Sequence, residues 1–107
     1  MADNFITDRK KEIESNKIMI YAKGRKGMPQ CGFSAQVMEI FSRLGKPYEV
    51  VNVLDNPDIR SRLKEISGWP TFPQVFVNGK FVGGCDITTE LYENGDLEKI
   101  VAEAFDA

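Results

Sequence analysis

Five consecutive residues, Ile18-Met19-Ile20-Tyr21-Ala22, carry no charge. A strand with one wet face alternates apolar and polar residues. An unbroken apolar run of this length instead predicts a strand covered on both sides. Such a strand needs helices above and below it. The chain supplies one directly. Phe33, Val37, Ile40, Phe41 and Leu44 recur at three- and four-residue spacing, which predicts a helix over 32–44 with these residues on its apolar face. Gly45 is placed to end it. Residues 48–52 predict a second strand. Strand, helix and strand in this order predict a parallel, right-handed β-α-β unit.

The remaining segments arrange themselves around that unit. Residues 7–16 predict an opening helix with Ile6 and Ile13 among charges, and with Thr7 or Asp8 as its cap. Residues 23–30, with two glycines and Pro29, read as a loop. Asn56-Pro57 reads as an N-cap followed by proline at the first helical position, and that helix carries Ile59, Leu63 and Ile66 before Ser67-Gly68. Residues 74–77 and 80–82 flank Asn78-Gly79, the signal of a hairpin with a type I′ turn. Asp86 is placed to cap a helix over 87–92, and Asp96 to cap a last one carrying Leu97, Ile100, Val101 and Phe105. The expected order is α-β-α-β-α-β-β-α-α. It predicts an α/β fold, a four-stranded mixed sheet flanked by helices on both faces, in one domain over residues 1–107.

Composition narrows the function. A net charge of −2 provides no field for general nucleic-acid binding. No apolar run approaches the ~18 residues of a membrane span. Residues 1–11 are polar and lack a signal-peptide stretch, so a reducing cytoplasm, or an organelle matrix after loss of a transit sequence, is the expected setting. There, two cysteines point to reactive or ligating thiols rather than a structural disulfide. The absence of histidine excludes histidine triads and histidine metal sites.

Cys31-Gly32-Phe33-Ser34 follows the first strand and loop. A cysteine at a helix start gains free backbone N–H groups and the positive end of the helix dipole, which favour the thiolate. Lys23, with Arg25 and Lys26, adds positive charge. Ser34 stands where a dithiol redox motif has its second cysteine, so chemistry begun at Cys31 must be completed by a small thiol, another chain or a metal. Ser34 itself reads as a solvated helix residue. In Gly83-Gly84-Cys85-Asp86, glycines allow close approach of a ligand, N–H groups can hold a carboxylate, and Asp86 can take an ammonium. The Cys85 side chain reads as packed, with its N–H toward the ligand. Lys23 and Arg60 are the cations open to a counter-anion, while Arg62 and Lys64 read as solvated. Trp69 reads equally as core, wall or partner surface. On the residues alone Pro73 is a strand-entry proline.

Lys23, Cys31-Gly32-Phe33-Ser34, Asn56-Pro57-Asp58-Ile59-Arg60, Trp69-Pro70-Thr71-Phe72-Pro73-Gln74 and Gly83-Gly84-Cys85-Asp86 occur in one order along residues 11–105. This set resembles the monothiol glutaredoxins with a Cys-Gly-Phe-Ser motif. The interval from Lys23 to Cys31 resembles their long loop. The resemblance implies a thioredoxin-like fold and a cis Pro73 facing Cys31. It implies that the Phe72 backbone pairs with the cysteinyl part of glutathione, that Cys85 and Asp86 take its γ-glutamyl end, and that Lys23 and Arg60 take its glycine carboxylate. It further implies a [2Fe–2S] cluster shared between two subunits. Two Cys31 and two glutathione sulfurs make the four thiolates such a cluster wants. A homodimer, BolA-type partners and iron–sulfur client proteins follow from the same likeness. The alternative function is a glutathione-dependent thiol–disulfide oxidoreductase that removes glutathione from mixed disulfides. A third, an interaction module with an inert cysteine, ranks last because the whole ligand set is present.

Overall fold

A computed structural model describes residues 3–106 of the chain. Strand β1 (Ile18–Ala22) is buried at every position, as its apolar run requires. It lies second in a four-stranded sheet of order β4-β1-β5-β6, in which β4 is Glu49–Asn52, β5 is Gln74–Val77 and β6 is Lys80–Gly83. β1 runs parallel to β4 and antiparallel to β5, which forms a hairpin with β6. The turn has Asn78 at φ 53° and Gly79 at φ 79°, the two positive angles that a type I′ turn needs.

Alternation along β1 sends its side chains to two cores. Ile18, Ile20 and Ala22 pack with Val37 and Phe41 of α2 (Gly32–Leu44), Cys85 of α5 (Cys85–Glu93) and Leu97 and Val101 of α6 (Asp96–Phe105). Met19 and Tyr21 pack on the other face with Ile13 of α1 (Phe5–Ser15), Ile59 of α3 (Pro57–Arg62) and Leu63, which leads into α4 (Lys64–Ser67). Each fully buried aliphatic side chain contributes about 1.5–3 kcal/mol. The Tyr21 hydroxyl donates to Glu12 Oε1 at 2.5 Å and ties α1 to the sheet. No helix among the described residues is long and apolar enough to cross a membrane.

The structure corrects several local expectations. The first helix starts two residues before Thr7. Asn4 takes the cap position, and the Phe5 N–H donates to Asp3 Oδ1. Asn56 holds its expected cap position, but its side chain donates to the Asn52 carbonyl instead of capping. The helix after it breaks at Leu63 into α3 and α4. Asp86 and Asp96 lie inside the first turns of α5 and α6, behind Gly84 and Gly95 at the cap positions. Phe33 leaves the apolar face of α2 and is 59% exposed.

Residues 23–30 are not an open loop. They form a small ribbon of β2 (Gly24–Arg25) and β3 (Met28–Pro29). Asn52 Oδ1 accepts from the Gly24 N–H at 2.8 Å, and the Lys23 carbonyl from the Gln30 N–H at 2.9 Å. Gly24 sits at φ +113°, and a Cβ there would lie 2.6 Å from the Gln30 nitrogen. The ribbon thus closes only around a glycine, and it delivers the chain to Cys31.

Candidate functional site

Cys31 occupies the cap position of α2 with extended backbone. Its thiol is held below its ordinary value chiefly by the Ser34 N–H, which donates to the sulfur. Partial burial opposes this. The Phe33 N–H, the Lys23 charge and the Ser34 hydroxyl reinforce it. The leading cause is therefore the unpaired first turn of the helix, as the sequence suggested, and Lys23 is secondary. Arg25 and Lys26 are engaged elsewhere. Arg25 lies 3.8 Å from Asp55, and Lys26 Nζ donates to the Tyr48 carbonyl at 2.6 Å over the Tyr48 ring.

Ser34 departs from its expected role. It is fully buried, and its Oγ accepts from the Lys23 N–H at 3.0 Å. The hydroxyl that replaces a second thiol fastens Lys23 beside Cys31. Both cysteines are free thiols. Burial pushes the Cys85 thiol up, against a Thr89 hydrogen bond, and the charges of Asp86 and Cys31 push it further. Of the two, Cys31 is the one prepared to ionise.

Cys31 opens into a cavity of about 510 Å³, a size common among small-molecule sites. The residues assigned to the thiol and its ligand all line it: Lys23, Cys31, Arg60, Phe72, Cys85 and Asp86. Lys23 follows β1 and Arg60 stands on α3, while Asp86 stands on α5 across the sheet. The Phe72–Pro73 bond is cis, and Pro73 lines the cavity with Cys31. Among the described residues no hydrogen bond engages the N–H or carbonyl of Phe72. The N–H groups of Cys85 and Asp86 belong to the first turn of α5 and have no intrahelical acceptor. The cavity thus combines a main-chain edge without hydrogen-bond partners, a helix start with free N–H groups, and the cations Lys23 and Arg60.

Two wall residues lay beyond the sequence reading. Phe33 lines the cavity instead of the core, and Trp69, left undecided, is a wall. Gly84 is small for Trp69: a Cβ there would lie 2.9 Å from the indole Nε1. Among the described residues no group of three or more His, Cys, Asp or Glu could hold a metal ion. A metal centre at Cys31 would need donors from outside one chain.

The glutaredoxin family model matches residues 18–82. The chain is 52% identical over 92 residues to an uncharacterized monothiol glutaredoxin, ycf64-like, of Synechocystis sp., and the match covers 86% of each protein. The solution structure of reduced poplar apo GrxS14 shares 46% identity and a TM-score of 0.84, covering 95% of this chain and 94% of that one. The crystal structure of a buckwheat glutaredoxin–glutathione complex shares 27% identity and a TM-score of 0.81, covering 92% and 88%. With one ionisable thiol at the head of α2 and a serine one turn on, this chain belongs to the glutaredoxin family, among its monothiol members.

Proposed function

We propose that the protein binds glutathione beside Cys31 and that two copies carry a [2Fe–2S] cluster as cargo in iron–sulfur assembly, storage and transfer. The single observation that carries this reading is the isolation of the Cys31 thiol. It is the thiol held below its ordinary value, it opens on a cavity of about 510 Å³ lined by both charges, and Cys85 is buried with its thiol pushed up. A cluster wants four soft ligands. Two Cys31 and two glutathione sulfurs would supply them. In each copy Phe72 would pair with the cysteinyl unit, Asp86 and the start of α5 would take the γ-glutamyl head, and Lys23 and Arg60 the glycine carboxylate. The buckwheat relative solved with glutathione supports the ligand. A BolA-type protein and client apoproteins in the cytoplasm or an organelle matrix complete the reading.

Anaerobic reconstitution with iron, sulfide and glutathione tests it. The expected product is a brown dimer with one cluster, lost in Cys31→Ser and retained at least in part in Cys85→Ser. A stable cluster formed without glutathione, or one surviving Cys31→Ser, refutes the ligand set.

The same thiolate favours a second, weaker activity. Cys31 attacks the glutathione sulfur of a mixed disulfide and expels the substrate thiolate. A second glutathione thiolate then attacks that sulfur, releases glutathione disulfide and restores Cys31. Ser34 cannot perform this last step, so turnover depends on added glutathione.

A further inference from the structure

The cavity wall formed by residues 69–73 has no hydrogen-bonded ladder of its own. Among the described residues, no backbone–backbone hydrogen bond begins or ends on any of the five. Two of their carbonyls are met by one side chain. The Gln74 amide nitrogen donates to the Trp69 carbonyl at 2.8 Å and to the Thr71 carbonyl at 3.1 Å. Gln74 opens β5, is fully buried and does not line the cavity. Its orientation is fixed by chemistry: turned over, the amide oxygen would face two carbonyl oxygens. In the orientation that holds the wall, Oε1 is buried and among the described residues accepts no hydrogen bond. An apolar side chain of the same size would avoid that orphan acceptor. Glutamine here serves the shape of the wall rather than the core.

We propose that Gln74 is a positioning residue for the ligand site. Its amide holds residues 69–73 in the curve that leaves the Phe72 main chain open to the cavity and keeps Trp69 against Gly84. The effect on affinity rests on the glutathione reading above; the effect on the wall does not.

Trp69 is the sole tryptophan, so its fluorescence reports on this wall. Gln74→Met keeps the length and removes both donors. Gln74→Glu keeps the shape, and its buried carboxyl, held protonated, offers one donor where the amide offered two. Both variants and the unaltered full-length apoprotein are compared by acrylamide quenching of Trp69, glutathione titration calorimetry and far-UV circular dichroism. The expected result is a higher quenching constant and red-shifted emission in both variants. Glutathione affinity should fall about ten-fold with the circular dichroism unchanged. Unaltered quenching in Gln74→Met overturns the proposal. A loosened wall with unaltered glutathione affinity overturns its ligand-positioning role. If the unaltered protein takes no glutathione while both variants loosen Trp69, the brace stands and the ligand reading falls. Hydrogen exchange in the unaltered protein tests the brace without a variant: the Gln74 side-chain amide protons should be protected, and fast exchange overturns it.

Discussion

Replacing Ser34 with alanine tests how the site is held together. The hydroxyl is fully buried and accepts from the Lys23 N–H at 3.0 Å. Among the described residues that N–H has no other acceptor. Ser34→Ala leaves a part-buried donor without its partner, which costs about 1–3 kcal/mol. For a domain of this size each kcal/mol lowers Tm by about 4–8 °C, so a fall of roughly 4–24 °C is expected. The thiol should respond in a smaller way. Among the groups that favour the Cys31 thiolate, the Ser34 hydroxyl ranks below its own backbone N–H, the Phe33 N–H and the Lys23 charge. Alanine keeps the backbone N–H. The alkylation midpoint should therefore rise yet stay below the ordinary thiol value of 9.0. Thermal unfolding and the pH dependence of iodoacetamide alkylation measure both effects. A Tm unchanged within error would show that the Lys23–Ser34 bond contributes nothing net. A midpoint at or above the ordinary value would show that the helix turn is not what favours the thiolate.

In the unaltered protein Cys31 should alkylate at lower pH than Cys85, and mass spectrometry of the modified chain would order the two; Cys85 reacting first would contradict their environments. Because the folded value of Cys31 is depressed, its contribution to stability is complete above the unfolded-thiol value and is lost as pH falls through the folded one. Urea unfolding of the Cys85→Ser protein across that window should show stability rising with pH, and a falling curve would reverse the sign. Lys23→Ala, on a half-buried side chain, should weaken glutathione about ten-fold, and Asp86→Ala and Arg60→Ala, both on exposed side chains, by about five-fold or less. Titration at rising salt should shrink the two cation effects, and unchanged affinity in all three variants would misplace the site. Gly84→Ala puts a Cβ 2.9 Å from the Trp69 Nε1, so Trp69 emission should shift and glutathione affinity should drop, and an unperturbed spectrum would refute the close fit.

Much of this protein is legible in the order of its residues, because the signals concerned are local. The unbroken apolar run of β1, the Asn78-Gly79 turn and the spacing from Val37 to Leu44 each act through neighbours one to four residues away. So does the activation of Cys31, since its leading donor is the N–H three residues on. Apart from the helix caps, which shifted by one to three residues, what failed required partners far along the chain. The 23–30 segment becomes a ribbon because Asn52, on a different strand, takes the Gly24 N–H. Ser34 is buried because Lys23 arrives from β1 to use its oxygen, which periodicity within α2 could not reveal. Phe33 has helical spacing suited to the core, yet it stands where α2 emerges beside the cavity, and it is exposed there. The layers, the hairpin and the position of the active thiol are therefore written locally, since propensity and period act over single turns. The convergence of Lys23, Arg60, Phe72 and Asp86 on that thiol comes from long-range packing, because they stand on separate elements brought together by two cores against one sheet.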